Sequence, residues 1–243
     1  MHLNKSPLVR LPLEHVKNCR DLGGYPTPQG STRWGRFLRC GDMGQIIETE
    51  RDYLYAYGVR TIIDLRTPEE CEVSPNPIQY DKRFNYLPFD LILRQDPAEH
   101  FLTSDLSSMT LEDLYIRILD ANERVGAVLE MIAANDEGAL LFHCTAGKDR
   151  TGVIAMLLLG LAGVTNEDIL ANYQVSFTYI DTSVKLLQRV PMNLLDSKPE
   201  YLIQALDHLY QRYGNFSNYF TRCGFDAAKQ SVLLQRIVEK HKP

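Results

Sequence analysis

The stretch that most limits what this chain can fold into is His143-Cys144-Thr145-Ala146-Gly147-Lys148-Asp149-Arg150-Thr151-Gly152, set between the apolar runs Ala139–Phe142 and Val153–Leu161. A short apolar run, a polar turn and a longer apolar run predict a buried strand, a tight loop and a core helix. A strand feeding a helix in this way aims several backbone N–H groups and the positive helix end at one small volume, which suits a phosphate-sized anion. Free thiols ionise near pH 8.5, and helix N-termini lower that to roughly 3.5–7.5. A cysteine at the position of Cys144 is therefore expected to act as a nucleophile. Arg150, where the loop closes into the helix, is placed to fold back and grip two oxygens of a bound phosphoryl group. Gly147 lets the backbone turn where a side chain would clash, and the Thr151 hydroxyl is a candidate hydrogen-bond donor to the sulfur. Thr145, Ala146, Gly147, Lys148, Asp149, Arg150 and Thr151 together form the expected phosphate-binding loop.

Cys-x5-Arg in this setting resembles the signature of the cysteine-dependent protein tyrosine phosphatase superfamily. The string AGKDRTG is similar to its bacterial branch, which acts on phosphotyrosine, phosphoserine/threonine and phosphoinositides. Three further segments carry the resemblance. Asn18-Cys19-Arg20-Asp21-Leu22-Gly23-Gly24 is similar to an NFRDLGG stretch, with Cys19 in place of the aromatic. Ile62-Ile63-Asp64-Leu65-Arg66 followed by Glu69 resembles a DLR-x-x-x-E strand end, read here with one residue fewer before the Glu. Pro199-Glu200-Tyr201-Leu202, Tyr213-Gly214 and Tyr219-Phe220 resemble the closing helices. The resemblance implies an α/β fold like that of the dual-specificity phosphatases, with a mostly parallel central sheet flanked by helices and a helical C-terminal part.

With 243 residues, 44% of them apolar, the chain can bury a sizeable core and is expected to form one domain spanning 1–243. Its net charge of −5 sets up no global attraction for nucleic acid or an anionic membrane, so affinity for a phosphorylated partner has to be local. The five cysteines, at 19, 40, 71, 144 and 223, are odd in number and show neither zinc nor disulfide spacing. Reduced thiols and a cytoplasmic setting follow, although export without a signal stays open. No apolar signal segment is visible near the start. The most apolar stretch, Gly152 to Val164, is short of the roughly 20 residues a membrane helix needs. A nucleotide-binding P-loop would need Gly five residues before Gly147 and Ser or Thr after Lys148, but Phe142 and Asp149 stand there.

In chain order, residues 1–20 read as an extended arm reaching the site through Arg20 and Asp21. Gly35–Cys40 alternates as a strand would, a helix ends at Gly58, and Val59–Leu65 reads as a fully buried strand. Phe84–Phe89 reads as a further strand ending at Asp90, and residues 91–109 lack a clear period and are a candidate lid. One helix is expected from Thr110 to Asn135, and mostly helix from Thr165 to Lys240, broken at Pro191 and Pro199. The tyrosines at 173, 179, 201, 210, 213 and 219 are expected to pack rather than to bind.

The chemistry expected is in-line attack of Cys144 on phosphorus, a phosphocysteine, and its hydrolysis by water, with Arg150 and the loop N–H groups holding the equatorial oxygens. A leaving alkoxide or phenoxide needs a proton. Asp90, after Leu87-Pro88-Phe89, fits the general acid best, and similar phosphatases of this branch carry theirs after such a strand end. Asp64 is the rival, with an ion pair to Arg66 as its alternative role. Asp149 is expected to orient Arg150 or assist the water. Lys148 offers a cation for a second phosphate, or is a solvated surface lysine. Arg20, Asp21 and His143 are candidate supporting residues, His143 by bonding backbone. No metal or cofactor is implied. Phosphorylated protein or phosphoinositide is the expected partner, and a phosphate-binding pseudoenzyme is the alternative.

Overall fold

The computed structural model describes residues 10–92, 110–180 and 196–240. Within these, a five-stranded sheet is formed by β1 (Arg20–Asp21), β4 (Phe37–Cys40), β5 (Val59–Asp64), β6 (Asn85–Pro88) and β7 (Ala139–His143), in the order β1-β4-β7-β5-β6. β4, β7, β5 and β6 run parallel, and β1 adds an antiparallel edge. Parallel strands need crossovers, and helices provide them, so both faces are covered and the central strands β4, β5 and β7 are almost wholly buried. The side chains divide by alternation. Ile63, Leu140 and Phe142 enter the larger core, while Leu38, Ile62, Ala139 and Leu141 enter a smaller one on the opposite face. Each of these leucine, isoleucine and phenylalanine side chains contributes about 1.5–3 kcal/mol when fully buried.

The smaller core is closed by the N-terminal segment and α1 (Glu48–Tyr57), which stops at Gly58 in a left-handed conformation with φ 109°. The larger core centres on α5 (Asp149–Leu161), buried on every side from Arg150 to Leu159. Around it lie α3 (Leu111–Asp120), α4 (Asn122–Ala134), α6 (Asn166–Tyr179), α7 (Pro199–Tyr213), α8 (Phe216–Arg222) and α9 (Ala227–Ile237). No helix among the described residues is long and apolar enough to cross a membrane.

The architecture is the expected one, with three local corrections. The helix expected from Thr110 to Asn135 is two helices, because the Leu119 carbonyl accepts from Asn122 Nδ2 (2.8 Å) and Tyr219 Oη (2.9 Å), and Ala121 leaves helical geometry with ψ 54°. The C-terminal helix ends at Ile237. Val238–Lys240 then form β8, which joins β3 (Gly30–Thr32) and β2 (Pro26–Thr27) in a small antiparallel sheet. The strand expected from Gly35 begins at Phe37 and is buried at every residue, since it lies between β1 and β7. Of the candidate lid, residues 93–109 lie outside the described residues.

Register delivers the functional groups. Cys40, His143, Asp64 and Pro88 are successive partners across the sheet, so the residues that follow them leave from the same carboxyl-terminal edge. Those residues are Asp42, Cys144, Arg66 and Asp90. Open parallel sheets bind ligands outside this edge.

Candidate active site

Cys144 leaves β7 at the head of the loop and is 1% exposed. The loop turns at Gly147, whose φ is +64°, and a Cβ there would lie 2.2 Å from the Cys40 carbonyl oxygen. Only glycine fits this turn. The loop carbonyls are gripped from behind. Asn18, itself in the left-handed region at φ 58°, donates from Nδ2 to the carbonyls of Ala146 (3.1 Å) and Gly147 (3.0 Å). Arg39 donates from Nη2 to Gly147 (2.8 Å) and Lys148 (3.3 Å), and from Nη1 to Asn172 Oδ1 (2.7 Å). Arg20 supports this layer, bonding Asn18, the Asn172 carbonyl (2.7 Å) and Ser176 Oγ (3.0 Å). Among the described residues, every acceptor on Arg20 and Arg39 is a neutral group. Burial draws Arg39 down to about 10, opposed by a charge on Cys144, and draws Arg20 down as well.

Arg150 is held from the side. Thr67 caps α2 (Pro68–Val73), Pro68 occupies the first helical position, and Glu70 at the third bonds back to the Thr67 N–H at 2.8 Å. The same carboxylate takes Arg150 Nη1 at 2.5 Å and Nη2 at 2.7 Å, and accepts from Thr145 Oγ1. Burial pushes the Glu70 carboxyl up, but the Arg150 charge and the hydrogen bonds outweigh it and hold it below the usual carboxylate range. The guanidinium is thus fixed before any anion arrives.

Two more sides are closed by neighbouring strands and helices. His143 Nδ1 lies 3.2 Å from the Cys144 carbonyl, and its Nε2 lies 3.2 Å from Asn76 Nδ2 and 3.4 Å from Asp64 Oδ2. Asp64 is wholly buried, pairs with Arg66 Nη2 at 2.7 Å and accepts from Tyr86 Oη at 2.7 Å. Arg66 also pairs with Asp42 at 2.5 Å and bonds the Ser74 carbonyl. On the α5 side, Asp149 Oδ1 accepts from Tyr115 Oη at 2.5 Å, and Lys148 Nζ stands 3.3 Å away.

Residues 11–239 match the profile of the tyrosine phosphatase family. The chain belongs to that family. It is 30% identical to a putative tyrosine-protein phosphatase of Cupriavidus necator, over 86% of this chain and 82% of that protein. It is 41% identical to a tyrosine-protein phosphatase of Nostoc commune over 61% of this chain, a match that spans only 51% of the Nostoc protein. It is 25% identical to the triple specificity protein phosphatase PtpB of Mycobacterium tuberculosis, over 87% of this chain and 92% of that one. The cysteine-dependent phosphatase class inferred from the loop and this family agree.

In this tyrosine phosphatase family member the expected site residues do not all fall where the sequence suggested. Cys144, Thr145, Gly147, Asp149 and Arg150 converge on one loop. Lys148 is neither a solvated lysine nor turned outward. It is 1% exposed, and its Nζ bonds the Asp196 carbonyl at 2.6 Å. Thr151 Oγ1 is buried and makes no hydrogen bond among the described residues, so the expected bond to sulfur is absent here. Asp149 faces Tyr115 and Lys148, while the carboxylate gripping Arg150 is Glu70. Glu70 lies four residues after Arg66, so the DLR-x-x-x-E spacing is intact and the shortened count to Glu69 was the wrong choice between adjacent glutamates. Asp21 lies on the edge strand β1. It orders a turn, accepting from Gly23 N (2.7 Å), Gly35 N (2.7 Å) and Tyr57 Oη (2.6 Å). Asp90 is half-buried after β6 and accepts from Ile92 N at 2.9 Å.

Asn18, Arg39, Glu70, Tyr115, Asn172 and Tyr173 were not singled out as loop contacts. Asn18 and Glu70 sit in the quoted motifs. The other four had no local signal, because they meet the loop only through the packing of β4, α3 and α6.

Proposed function

We propose that this protein hydrolyses phosphate monoesters through a phosphocysteine on Cys144. The observation that carries the reading is the bidentate Glu70–Arg150 clamp, which sets a guanidinium beside a cysteine on an anion-binding loop. Fixed cationic donors around developing charge are the largest contribution to many such reactions. In the first step Sγ attacks phosphorus and the ester oxygen leaves, taking a proton from Asp90. Asp64 is unsuited to that role, since it is wholly enclosed by Arg66, His143 and Tyr86. In the second step water attacks the phosphocysteine, the S–P bond breaks with its electron pair returning to Sγ, and the water proton passes to Asp149.

Phosphotyrosine is the first candidate substrate, as the family's name and its relatives suggest. The triple specificity of the Mycobacterium protein supports testing phosphoserine/threonine and phosphoinositides alongside it. Lys148, turned to Asp196 and Asp149, adds no support for a second phosphate.

The test is phosphate release in EDTA by wild type and Cys144→Ser, using p-nitrophenyl phosphate, phosphotyrosine and phosphoserine peptides, and mono- and bisphosphorylated phosphoinositides. Metal-independent turnover that is lost in the variant is expected. Absence of turnover on every substrate, with vanadate still bound, would establish a phosphate-binding module instead. Asp90→Asn should slow alkyl phosphates far more than activated aryl ones, and equal losses would remove Asp90 as the acid.

A further inference from the structure

The loop carboxylate Asp149 is tied to two tyrosines that the chemistry above does not use. Tyr115 on α3 is fully buried, its hydroxyl 2.5 Å from Asp149 Oδ1 and 2.6 Å from the Tyr173 hydroxyl on α6. The two rings meet edge to face, with centroids 6.0 Å apart. Tyr115's proton is committed to Asp149, so Tyr173 donates to the Tyr115 oxygen and the three groups form one directed chain. Burial and the neighbouring carboxylate raise Tyr115 well above the ordinary phenol range, which keeps it a donor at any working pH. Both known donors to Asp149, Tyr115 and Lys148, fall on Oδ1. The terminal torsion of an aspartate is otherwise broad and roughly two-fold, so pinning one oxygen selects where the other points.

We propose that Tyr115 is a positioning residue for the second step, holding Asp149 by Oδ1 so that Oδ2 takes the proton of the attacking water, with Tyr173 as its anchor. This rests on the phosphocysteine reading above. In the step concerned, the water oxygen bonds to phosphorus as the S–P bond breaks, Sγ keeps the electron pair, and the released proton moves to Oδ2. Tyr115 gives up no proton in the process. Its role is to hold the acceptor in place.

The experiment is steady-state and rapid-quench kinetics of Tyr115→Phe, Tyr173→Phe, Asp149→Asn and Tyr115→Phe/Asp149→Asn with p-nitrophenyl phosphate, whose good leaving group makes the first step fast. General-base assistance is worth about 10²–10⁴-fold, so losing its alignment should lower kcat by about 10–100-fold. KM should fall by a similar factor and kcat/KM stay within about threefold, because kcat/KM reports only steps up to formation of the phosphocysteine. A burst of p-nitrophenol should appear as the intermediate accumulates. Tyr173→Phe should act in the same direction but more weakly, and Tyr115→Phe should change little once Asp149 is Asn. Equal losses in both Asp149 backgrounds, or a lowered melting temperature with kcat unchanged, would make Tyr115 merely structural and overturn the proposal. A fall in kcat/KM that grows with leaving-group pKa would move Asp149 to the first step and overturn it too. Wild type without turnover would overturn the underlying reading, an outcome distinct from an active wild type with a silent Tyr115.

Discussion

Replacing Glu70 by Gln isolates the clamp on Arg150. The carboxylate accepts both Arg150 Nη atoms, Thr145 Oγ1 and the Thr67 N–H, and it is 3% exposed. The amide keeps the shape but presents one acceptor where there were two, and leaves a buried guanidinium without its counter-charge. Removing one partner of a buried pair costs about 3–5 kcal/mol. For a chain of this size each kcal/mol is worth about 2–4 °C, so the melting temperature should drop by roughly 6–20 °C. The guanidinium also loses its alignment, and a misplacement near 1 Å can cost about 10²-fold in rate, so kcat/KM should fall by at least about that factor. Glu72→Gln is the comparison. Glu72 is exposed two positions later on α2, and its substitution should cost under about 1 kcal/mol. Thermal unfolding and p-nitrophenyl phosphate kinetics on both variants decide the matter. Equal effects from the two would refute the claim that Glu70 orients Arg150.

Gly147→Ala should disable the loop: the left-handed conformation costs about 1–2 kcal/mol for a residue with a Cβ, and the methyl would meet the Cys40 carbonyl at 2.2 Å. Vanadate binding by calorimetry should be lost even if the variant folds. Asp64→Asn should lower stability by about 1–3 kcal/mol, because Arg66 keeps Asp42 as a counter-charge but loses its charged hydrogen bonds to Asp64, measured by urea unfolding, with the loss in rate independent of leaving group. The pH dependence has a definite sign. Asp64 and Glu70 both carry folded-state pKa values below their usual range, so the stability they add is present above their unfolded values of about 3.9 and 4.3 and is lost as pH falls through the folded ones. The acid limb of a stability–pH curve should therefore be shallower in Glu70→Gln than in wild type.

Much of the candidate site was legible because its residues are contiguous. Cys144, Gly147 and Arg150 share one loop, and the loop's geometry is local, so a strand run, a glycine and a helix run define it before any packing is known. The DLR-x-x-x-E spacing is nearly as local, yet the choice between Glu69 and Glu70 depends on which one faces inward from the capped turn of α2, and that is set by the Thr67 cap and the Arg150 partner. Lys148 illustrates the opposite limit. A lysine on a polar loop reads as exposed, and only the return of the chain at Asp196 to cover it shows that it is buried.

From its own order of residues the chain determined the alternation of strands and helices, the candidate nucleophile and cation and the glycine turn, since each depends on neighbours a few positions away. Tertiary structure decided which groups serve them. Arg39 and Asn172 are separated by 133 positions, Tyr115 and Asp149 by 34, and Glu70 and Arg150 by 80. Buried polar groups must find partners wherever the fold puts them, and no periodicity along the chain records contacts that exist only after helices close over a sheet.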